Sequence, residues 1–287
     1  MDLCDRRVIR SLLEESGFRF SRAMGQNFLI DPSVPERIVE AADLGPEDGV
    51  LEIGPGIGTL TVRLAERARR VCCVELDRML LPILDRTLEG CGNVTVVSGD
   101  IMKTDLTDLT GKELAGLRLS VCANLPYNIT TPVLTLLLES ELFTCLTVMI
   151  QREVAARICA RPGTADYGAF TVFCGYYAQA EQLFDVPPGC FMPAPKVTST
   201  VIRLTPHPSP PEVEDTKLFF RVVHASFAQR RKTLVNGLAA AFPLSKGALA
   251  EVLTACGLDG NVRGETLALD QFAAVARELG TRMGKKP

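Results

Sequence analysis

Short apolar runs alternate with helical segments over residues 33–150, and this alternation limits the possible folds more than any other feature of the chain. The runs have the length of buried strands. Strands that are buried on both faces and joined by helices form a parallel sheet. We therefore predict an α/β domain with a doubly wound, mostly parallel sheet, whose strands lie at 50–53, 71–74, 94–97, 119–123 and 143–150.

A proline-rich run at 206–211 ends this pattern. Proline is disfavoured in helix interiors and central strands, so we interpret the run as a linker. The chain beyond it has helical periodicity, with helices predicted at 217–228, 231–241, 246–255 and 270–279. The sequence thus predicts an α/β domain over residues 1–205 and a small all-α domain over residues 206–287.

Composition argues against several classes of protein. The 287 residues include ten cysteines, with no Cys-x-x-Cys pair, and only two histidines, so we expect no metal site. No apolar run approaches the roughly 20 residues that span a bilayer, and the N-terminus lacks the apolar core of a signal peptide. Cysteines within apolar runs are typical of a reducing compartment. We therefore expect a cytoplasmic protein that does not contact a membrane.

The net charge of −3 is unlike that of a uniformly basic nucleic-acid binder. Residues 205–287 nevertheless hold 11 Lys and Arg against 8 Asp and Glu. Three consecutive cations, Arg230, Arg231 and Lys232, are predicted to open the second helix of this region. They are candidates for contacts with nucleic-acid phosphates, and a solvated helix face is the alternative interpretation.

A glycine-rich segment, Glu52-Ile-Gly-Pro-Gly-Ile-Gly58, ends the first strand and precedes a helix. Gly54 and Gly56 would let the backbone pass close to a ligand, because they carry no β-carbon. Glu75 ends the second strand, where an acid in a doubly wound sheet binds ribose hydroxyls. The spacing GxGxG differs from the GxGxxG of dinucleotide enzymes, so a pyrophosphate site is less expected. A purely structural tight turn remains the alternative.

A third acid, Asp100, follows the third strand. Its carboxylate has two possible roles, accepting from the exocyclic amine of an adenine or capping a helix. Ligands of doubly wound sheets bind at the carboxyl ends of the strands. The glycine loop, Glu75 and Asp100 together therefore predict an adenosine ligand without a required pyrophosphate, and S-adenosyl-L-methionine fits that description.

The segment Asn124-Leu-Pro-Tyr127 ends the fourth strand. The exocyclic amine of adenine is a poor nucleophile, because its lone pair is delocalised into the ring. Two acceptors on its N–H bonds would favour a pyramidal nitrogen, and we predict these to be the side-chain oxygen of Asn124 and the carbonyl of Leu125. Tyr127 would stack on the base. A plain turn after a strand is the alternative.

Characteristic motifs occur along nearly the whole chain. They are Gly25-Gln-Asn-Phe-Leu-Ile-Asp-Pro32, Leu51-Glu-Ile-Gly-Pro-Gly-Ile-Gly-Thr-Leu-Thr61, Val74-Glu-Leu-Asp77, Gly99-Asp-Ile101, Asn124-Leu-Pro-Tyr127, Phe191-Met-Pro-Ala-Pro-Lys-Val-Thr-Ser199 and Arg263-Gly-Glu-Thr-Leu267. Together they resemble the motifs of the ribosomal RNA adenine dimethylase family. The resemblance implies a Rossmann-like methyltransferase domain that uses S-adenosyl-L-methionine, followed by a helical RNA-binding domain. It also implies double methylation of two adjacent adenosines near the 3′ end of 16S rRNA in the small ribosomal subunit, by a monomer.

The same resemblance implies roles for single residues. It places Asn27 and Leu29 near the methionine end of the cofactor, and Asn124 beside the transferred methyl group. Phe191 would provide a second stacking face opposite Tyr127, although the sequence around it is equally typical of a core residue. Three alternatives remain open: a related methylase of large-subunit rRNA, a DNA adenine methylase, and a ribosome-assembly factor without catalysis.

Overall fold

The structure is a computed structural model that describes residues 1–18, 26–208, 213–229 and 231–284. It divides into two compact units, one formed by Met1–Ala155 and Gln179–Pro206 and the other by Ala156–Ala178 and His207–Pro287. The division expected from the sequence, at 205/206, differs from this in the segment 156–178, which groups with the second unit. A single cut cannot describe a chain that leaves the first unit and then returns to it.

A seven-stranded sheet forms the centre of the first unit. Its five strands from β2 to β6 pair in parallel, while β9 is antiparallel to β6. The strand order is β4-β3-β2-β5-β6-β9-β7, and a separate two-stranded ladder joins β1 to β8. The strands are β1 (Phe28–Leu29), β2 (Asp48–Ile53), β3 (Arg70–Glu75), β4 (Val94–Ser98), β5 (Arg118–Asn124), β6 (Cys145–Gln151), β7 (Ala178–Val186), β8 (Phe191–Met192) and β9 (Ser199–Pro206).

This sheet confirms the predicted fold class, and the five predicted strands lie within two residues of their observed ends. The order reverses between β2 and β5, because the chain proceeds from β2 towards β4 on one side and resumes at β5 on the other. In doubly wound sheets such a reversal opens a crevice at the carboxyl ends of the strands. The sheet therefore positions a ligand site beside the ends of β2 and β5.

Helices cover the sheet and build the second unit. All residues of β2 are buried, as is typical of a central strand covered on both faces. The helices are α1 (Arg6–Glu15), α2 (Ser33–Ala42), α3 (Thr61–Ala65), α4 (Leu81–Thr87), α5 (Leu106–Glu113), α6 (Thr130–Glu139), α7 (Arg152–Ile158), α8 (Ala169–Tyr177), α9 (Thr216–Phe227), α10 (Leu234–Ala241), α11 (Lys246–Ala255) and α12 (Leu269–Gly284).

The second unit has its own hydrophobic core, centred on α9 and including Phe219, Leu238 and Phe272, all fully buried. Its helices pack closely because glycine stands at the contacts. A β-carbon at Gly237 would lie 2.6 Å from the carbonyl oxygen of Ala225, a distance that no real side chain tolerates. The predicted all-α character of the C-terminal region is thus confirmed.

Two observations concern the described residues as a whole. None of their helices is both long and apolar enough to cross a bilayer. Within the same residues, no group of three or more His, Cys, Asp or Glu side chains is arranged to hold a metal ion.

Candidate active site

A cavity lies at the carboxyl ends of β2, β3, β4 and β5, where the strand order reverses. Its wall brings together all the residues that the sequence predicted for cofactor binding, although these come from five separate segments of the chain. Their individual roles stay predictions. They are Asn27, Leu29, Gly54, Gly56, Glu75, Asp100 and Asn124.

The glycine loop forms one wall of the cavity with a backbone that only glycine adopts readily. Gly54 and Gly56 have φ angles of 67° and 62°, in the left-handed region. The N–H of Gly54 donates to the carbonyl of Val74 over 3.0 Å, which ties the loop to the end of β3. The loop is therefore a fixed surface against which a ligand can lie without meeting a side chain.

Glu75 is held in place by backbone donors at the end of β3. Its Oε1 accepts from the N–H of Asp77 over 2.8 Å, and its Oε2 accepts from the N–H of Gly56 over 3.3 Å. The side chain is 5% exposed, and burial raises the pKa of Glu75. Each oxygen keeps a further lone pair, so the carboxylate can accept from two neighbouring hydroxyls.

Asp100 caps a short turn and also lies on the cavity wall, so its predicted contact with an adenine amine stays a prediction. Its Oδ1 accepts from the N–H of Met102 over 3.0 Å and caps the short 3₁₀ turn Ile101–Lys103. The residue also lines the cavity. Capping fixes the carboxyl group but does not consume all of its acceptor sites.

The turn after β5 is rigid, and it leaves two acceptors available. The amide nitrogen of Asn124 donates to the carbonyl of Asn27 over 3.4 Å, so the side-chain oxygen remains to accept from a ligand. The N–H of Leu125 donates to Met149 over 3.1 Å, and the carbonyl of Pro126 accepts from the N–H of Ile129 over 3.2 Å. Among the described residues, no donor contacts the carbonyl of Leu125.

Tyr127 is half-buried and lines the cavity. Its hydroxyl lies 2.6 Å from Oγ of Ser199. Burial raises the pKa of Tyr127 above its usual value near 10, so the phenol is neutral at physiological pH. A neutral ring at this point offers an apolar face to a base.

Phe191 lies in the core of this structure, so the stacking role expected for it stays a prediction. Phe191 pairs with Leu29 in the β1–β8 ladder, and its ring belongs to the buried cluster that also contains Ile38 and Met149. The side chain is 2% exposed and does not line the cavity. The ring is thus a core residue, the alternative that the sequence left open.

Two of the three predicted phosphate-binding cations, Arg231 and Lys232, lie outside regular helices. Arg230 is outside the described residues. Arg231 and Lys232 are exposed in a turn, since α10 begins at Leu234. The expectation that these cations open the helix is therefore wrong, while their contact with RNA stays a prediction.

Glu52 is a cavity residue that the sequence analysis did not single out. Its side chain is 1% exposed, and burial raises its pKa from 4.5 to about 7. The Sγ of Cys73 lies 3.5 Å from its Oε2. A charged residue inside the apolar run 50–53 was the available signal, because glutamate is almost never buried without a partner.

Apolar groups beside the acids were also missed. Leu76 follows Glu75, lines the cavity and is 54% exposed, which is unusual for a large aliphatic side chain. Ile101 follows Asp100 and lines the cavity as well. These two residues offer apolar faces for a flat ring next to two acceptors, as adenosine recognition requires.

The charge of the cavity selects among adenosine ligands. The lining includes Glu52, Glu75 and Asp100, whereas none of the described residues that line it is Lys, Arg or His. Glu52 and Glu75 are buried, and a positively charged ligand would offset the cost of ionising them, whereas Asp100 is partly exposed and lies 3.7 Å from Nζ of Lys103. The acidic lining is therefore more compatible with a cationic ligand than with a pyrophosphate.

Comparison with known sequences gives matches along almost the entire chain. Residues 17–280 match the profile of the family described as ribosomal RNA adenine dimethylase. The chain is 47% identical over 276 residues to proteins named ribosomal RNA small subunit methyltransferase A from Bacillus cereus (strain B4264) and Bacillus anthracis (strain CDC 684 / NRRL 3495). These alignments cover 94% of this chain and 94% of each relative.

Solved structures give a consistent result. A dimethyladenosine transferase from Plasmodium falciparum matches with a TM-score of 0.74 at 25% identity, covering 89% of this chain and 98% of that one. The 23S rRNA methyltransferase ErmE matches with a TM-score of 0.68 at 28% identity, covering 88% of this chain and 100% of that one.

Proposed function

The chain belongs to the ribosomal RNA adenine dimethylase family, and from this premise we propose that it methylates the N6 amines of two adjacent adenosines near the 3′ end of 16S rRNA, twice each. The methyl donor is S-adenosyl-L-methionine and the substrate is the assembling small ribosomal subunit. The 47% identity to proteins named for the small subunit supports this choice of RNA. We further propose that the enzyme is cytoplasmic and acts as a monomer.

One observation carries the proposal: the acidic cavity and the turn from Asn124 to Tyr127 belong to the same site. A ligand that fills the cavity and a base that rests against the turn would be in contact. An enzyme that transfers a group between two substrates needs this proximity above all else.

The residues that would hold the cofactor follow from their chemistry. Glu75 would accept from the ribose hydroxyls and Asp100 from the adenine amine, while Leu76 contributes an apolar face. Glu52 would face the positively charged end of the ligand. When bound, S-adenosyl-L-methionine supplies an electrophilic methyl group.

The turn after β5 acts on the target base. The side-chain oxygen of Asn124 and the carbonyl of Leu125 would accept from the two N–H bonds of the amine, which exposes the nitrogen lone pair. Tyr127 supports the base by stacking, worth about 1–3 kcal/mol. The base must leave its stack to reach the cavity, which costs a few kcal/mol and least in loops and single strands. The amine proton leaves to solvent after transfer.

A second candidate is an adenine methylase of large-subunit rRNA, which the likeness to ErmE favours. Identity to ErmE is 28%, however, against 47% to the relatives named for the small subunit. A ribosome-assembly factor without catalysis is less consistent with the site, because Asn124, Tyr127 and Glu75 all line the cavity. A DNA adenine methylase has no support among the comparisons described above.

The test is methyl incorporation with labelled S-adenosyl-L-methionine and three substrates: immature small subunits, large-subunit rRNA and duplex DNA. We expect label in the small subunits alone, recovered as N6,N6-dimethyladenosine after nuclease digestion. Label only in large-subunit RNA would establish the second candidate. Absence of label on every substrate would favour the assembly factor.

A further inference from the structure

Ser199 contacts the candidate active site from the far end of a motif whose first residue is buried. The motif runs from Phe191 to Ser199. Since the ring of Phe191 lies in the core, that side chain does not reach the cavity. The hydroxyl of Ser199 instead lies 2.6 Å from the hydroxyl of Tyr127, a residue that lines the cavity.

The backbone that carries Ser199 is firmly held. Ser199 is the first residue of β9 and stands opposite Gln151 in the antiparallel ladder with β6. The preceding carbonyl, that of Thr198, accepts from the N–H of Arg152 over 3.0 Å. Ser199 itself is fully buried. A hydroxyl on such a backbone is a fixed anchor rather than a mobile surface group.

Tyr127 is thereby fixed at both of its ends. Its backbone belongs to the turn that the Pro126 carbonyl closes with Ile129 and Thr130. Its hydroxyl is held by Ser199. These two constraints set the direction of the Cβ–Cγ axis and so determine where the ring stands, which matters because a misplacement of about 1 Å in an active site can cost a factor on the order of 100 in rate.

We propose that Ser199 is a positioning residue for methyl transfer: it acts through the Tyr127 hydroxyl to hold the ring where the target base rests. This inference rests on the proposed function. In this interpretation Ser199, at the C-terminal end of the motif, helps to hold the base by positioning Tyr127, whereas Phe191 at its start does not contact the base. Tyr127 is then a prearranged platform, and the hydrogen bond contributes to turnover more than to cofactor binding.

The test is a double-mutant cycle on the full-length enzyme with Ser199→Ala, Tyr127→Phe and the two combined. Methylation of immature small subunits gives kcat and KM, and titration gives the dissociation constant for S-adenosyl-L-methionine. We expect each single variant to lower kcat by about five- to tenfold, the value of one hydrogen bond. The double variant should be no slower than either single one, and cofactor affinity should change by less than about twofold.

A matched control separates positioning from general destabilisation. Ser120→Ala removes a buried serine of β5 that does not line the cavity, and its kcat should equal that of the wild type. Unchanged kcat in Ser199→Ala, or losses that multiply in the double variant, would overturn the positioning role. If Ser199→Ala does not fold, Tyr127→Phe tests the same bond from its other partner, and an unchanged kcat overturns the role. A wild-type enzyme inactive on all three substrates would instead contradict the proposed function.

Discussion

Gly54 stands so close to Pro126 that a β-carbon at position 54 would lie 3.5 Å from Cγ of the proline. The glycine loop after β2 and the turn after β5 thus face each other across a gap of about one methyl group. Both residues line the cavity. The loop that is proposed to hold the methyl donor and the turn that is proposed to hold the base therefore share a boundary, and a methyl group at position 54 would occupy the space between them.

Gly54→Ala should weaken cofactor binding and lower turnover, because the added methyl group fills the space between loop and turn. The variant also forces alanine into a left-handed conformation, at a cost of about 1–2 kcal/mol. Gly116→Ala is the matched control, since Gly116 has a φ of 76° and no atom within 4 Å of an added β-carbon. Both variants should lose similar stability in chemical denaturation. Equal cofactor affinity in the two would contradict the proposed site.

Asn124→Ala should lower kcat by a factor on the order of 100 while changing the dissociation constant for S-adenosyl-L-methionine by less than about threefold. The reason is that the side-chain oxygen acts on the reacting amine. Asn93→Ala serves as the control: the amide of Asn93 also donates to backbone carbonyls, those of Ala65 and Ala68, but lies outside the cavity. It should reduce stability and leave kcat intact. A large loss of cofactor affinity in Asn124→Ala would assign the residue to the cofactor instead.

Glu52 should make stability depend on pH. Burial raises its pKa from 4.5 to about 7, so the folded state favours the protonated form more than the unfolded state does. The stabilisation that the protonated group gives to the folded state is complete below pH 4.5 and is lost as the pH rises to about 7. The free energy of unfolding changes by about 3 kcal/mol in total over this range. The free energy of unfolding of Glu52→Gln, measured from pH 4.5 to 8, should therefore rise relative to the wild type across this range. If the free energy of unfolding depended on pH in the same way in both proteins, Glu52 would not be the source of the pH dependence.

The same carboxyl group should couple pH to cofactor affinity. A cationic ligand favours the ionised form, so wild-type affinity for S-adenosyl-L-methionine should increase as the pH rises to about 7. The Glu52→Gln variant should bind more weakly at pH 8 and lack this dependence. Isothermal titration at several pH values measures both effects, and an identical pH dependence in the two proteins would show that Glu52 does not face the ligand.

Replacing Arg231 and Lys232 by alanine should weaken binding to the small subunit and flatten its salt dependence. Each lost phosphate contact lowers the slope of log affinity against log salt by about 0.7 to 0.9. The control replaces Arg67 and Arg69, which are exposed just before the amino end of β3, opposite the edge that carries the cavity. The control should keep the wild-type slope. Identical slopes in both double variants would leave Arg231 and Lys232 as solvated surface cations.

The sequence predicted the parallel sheet, and the position of four candidate residues at one edge of it, because both depend on local patterns. Strand ends follow from apolar runs, and the parallel arrangement brings Gly54, Glu75, Asp100 and Asn124 to one edge without any knowledge of side-chain contacts. The position of the segment 156–178 was not predictable in this way. Its packing depends on residues far along the chain, such as Leu267, whose carbonyl accepts from the hydroxyl of Tyr167 over 2.7 Å.

Two side chains show that motif spacing does not determine where a side chain points. Phe191 lies in a motif that implied stacking, yet the direction of its ring is set by the register with Leu29, which the spacing does not encode. In the sequence, Glu52 is a single polar residue within a predicted buried strand. Its contact with the cavity becomes visible only when β2 stands between β3 and β5.

We propose that the methyl donor and the target amine meet in the cavity at the ends of β2 to β5. The decisive experiment is a crystal structure with S-adenosyl-L-homocysteine bound. We predict that the ribose hydroxyls lie within hydrogen-bond distance of Glu75, the adenine amine within that distance of Asp100, and the sulfur atom directed towards Asn124 and the carbonyl of Leu125. A ligand bound elsewhere, or one whose sulfur points away from Asn124, would contradict the claim.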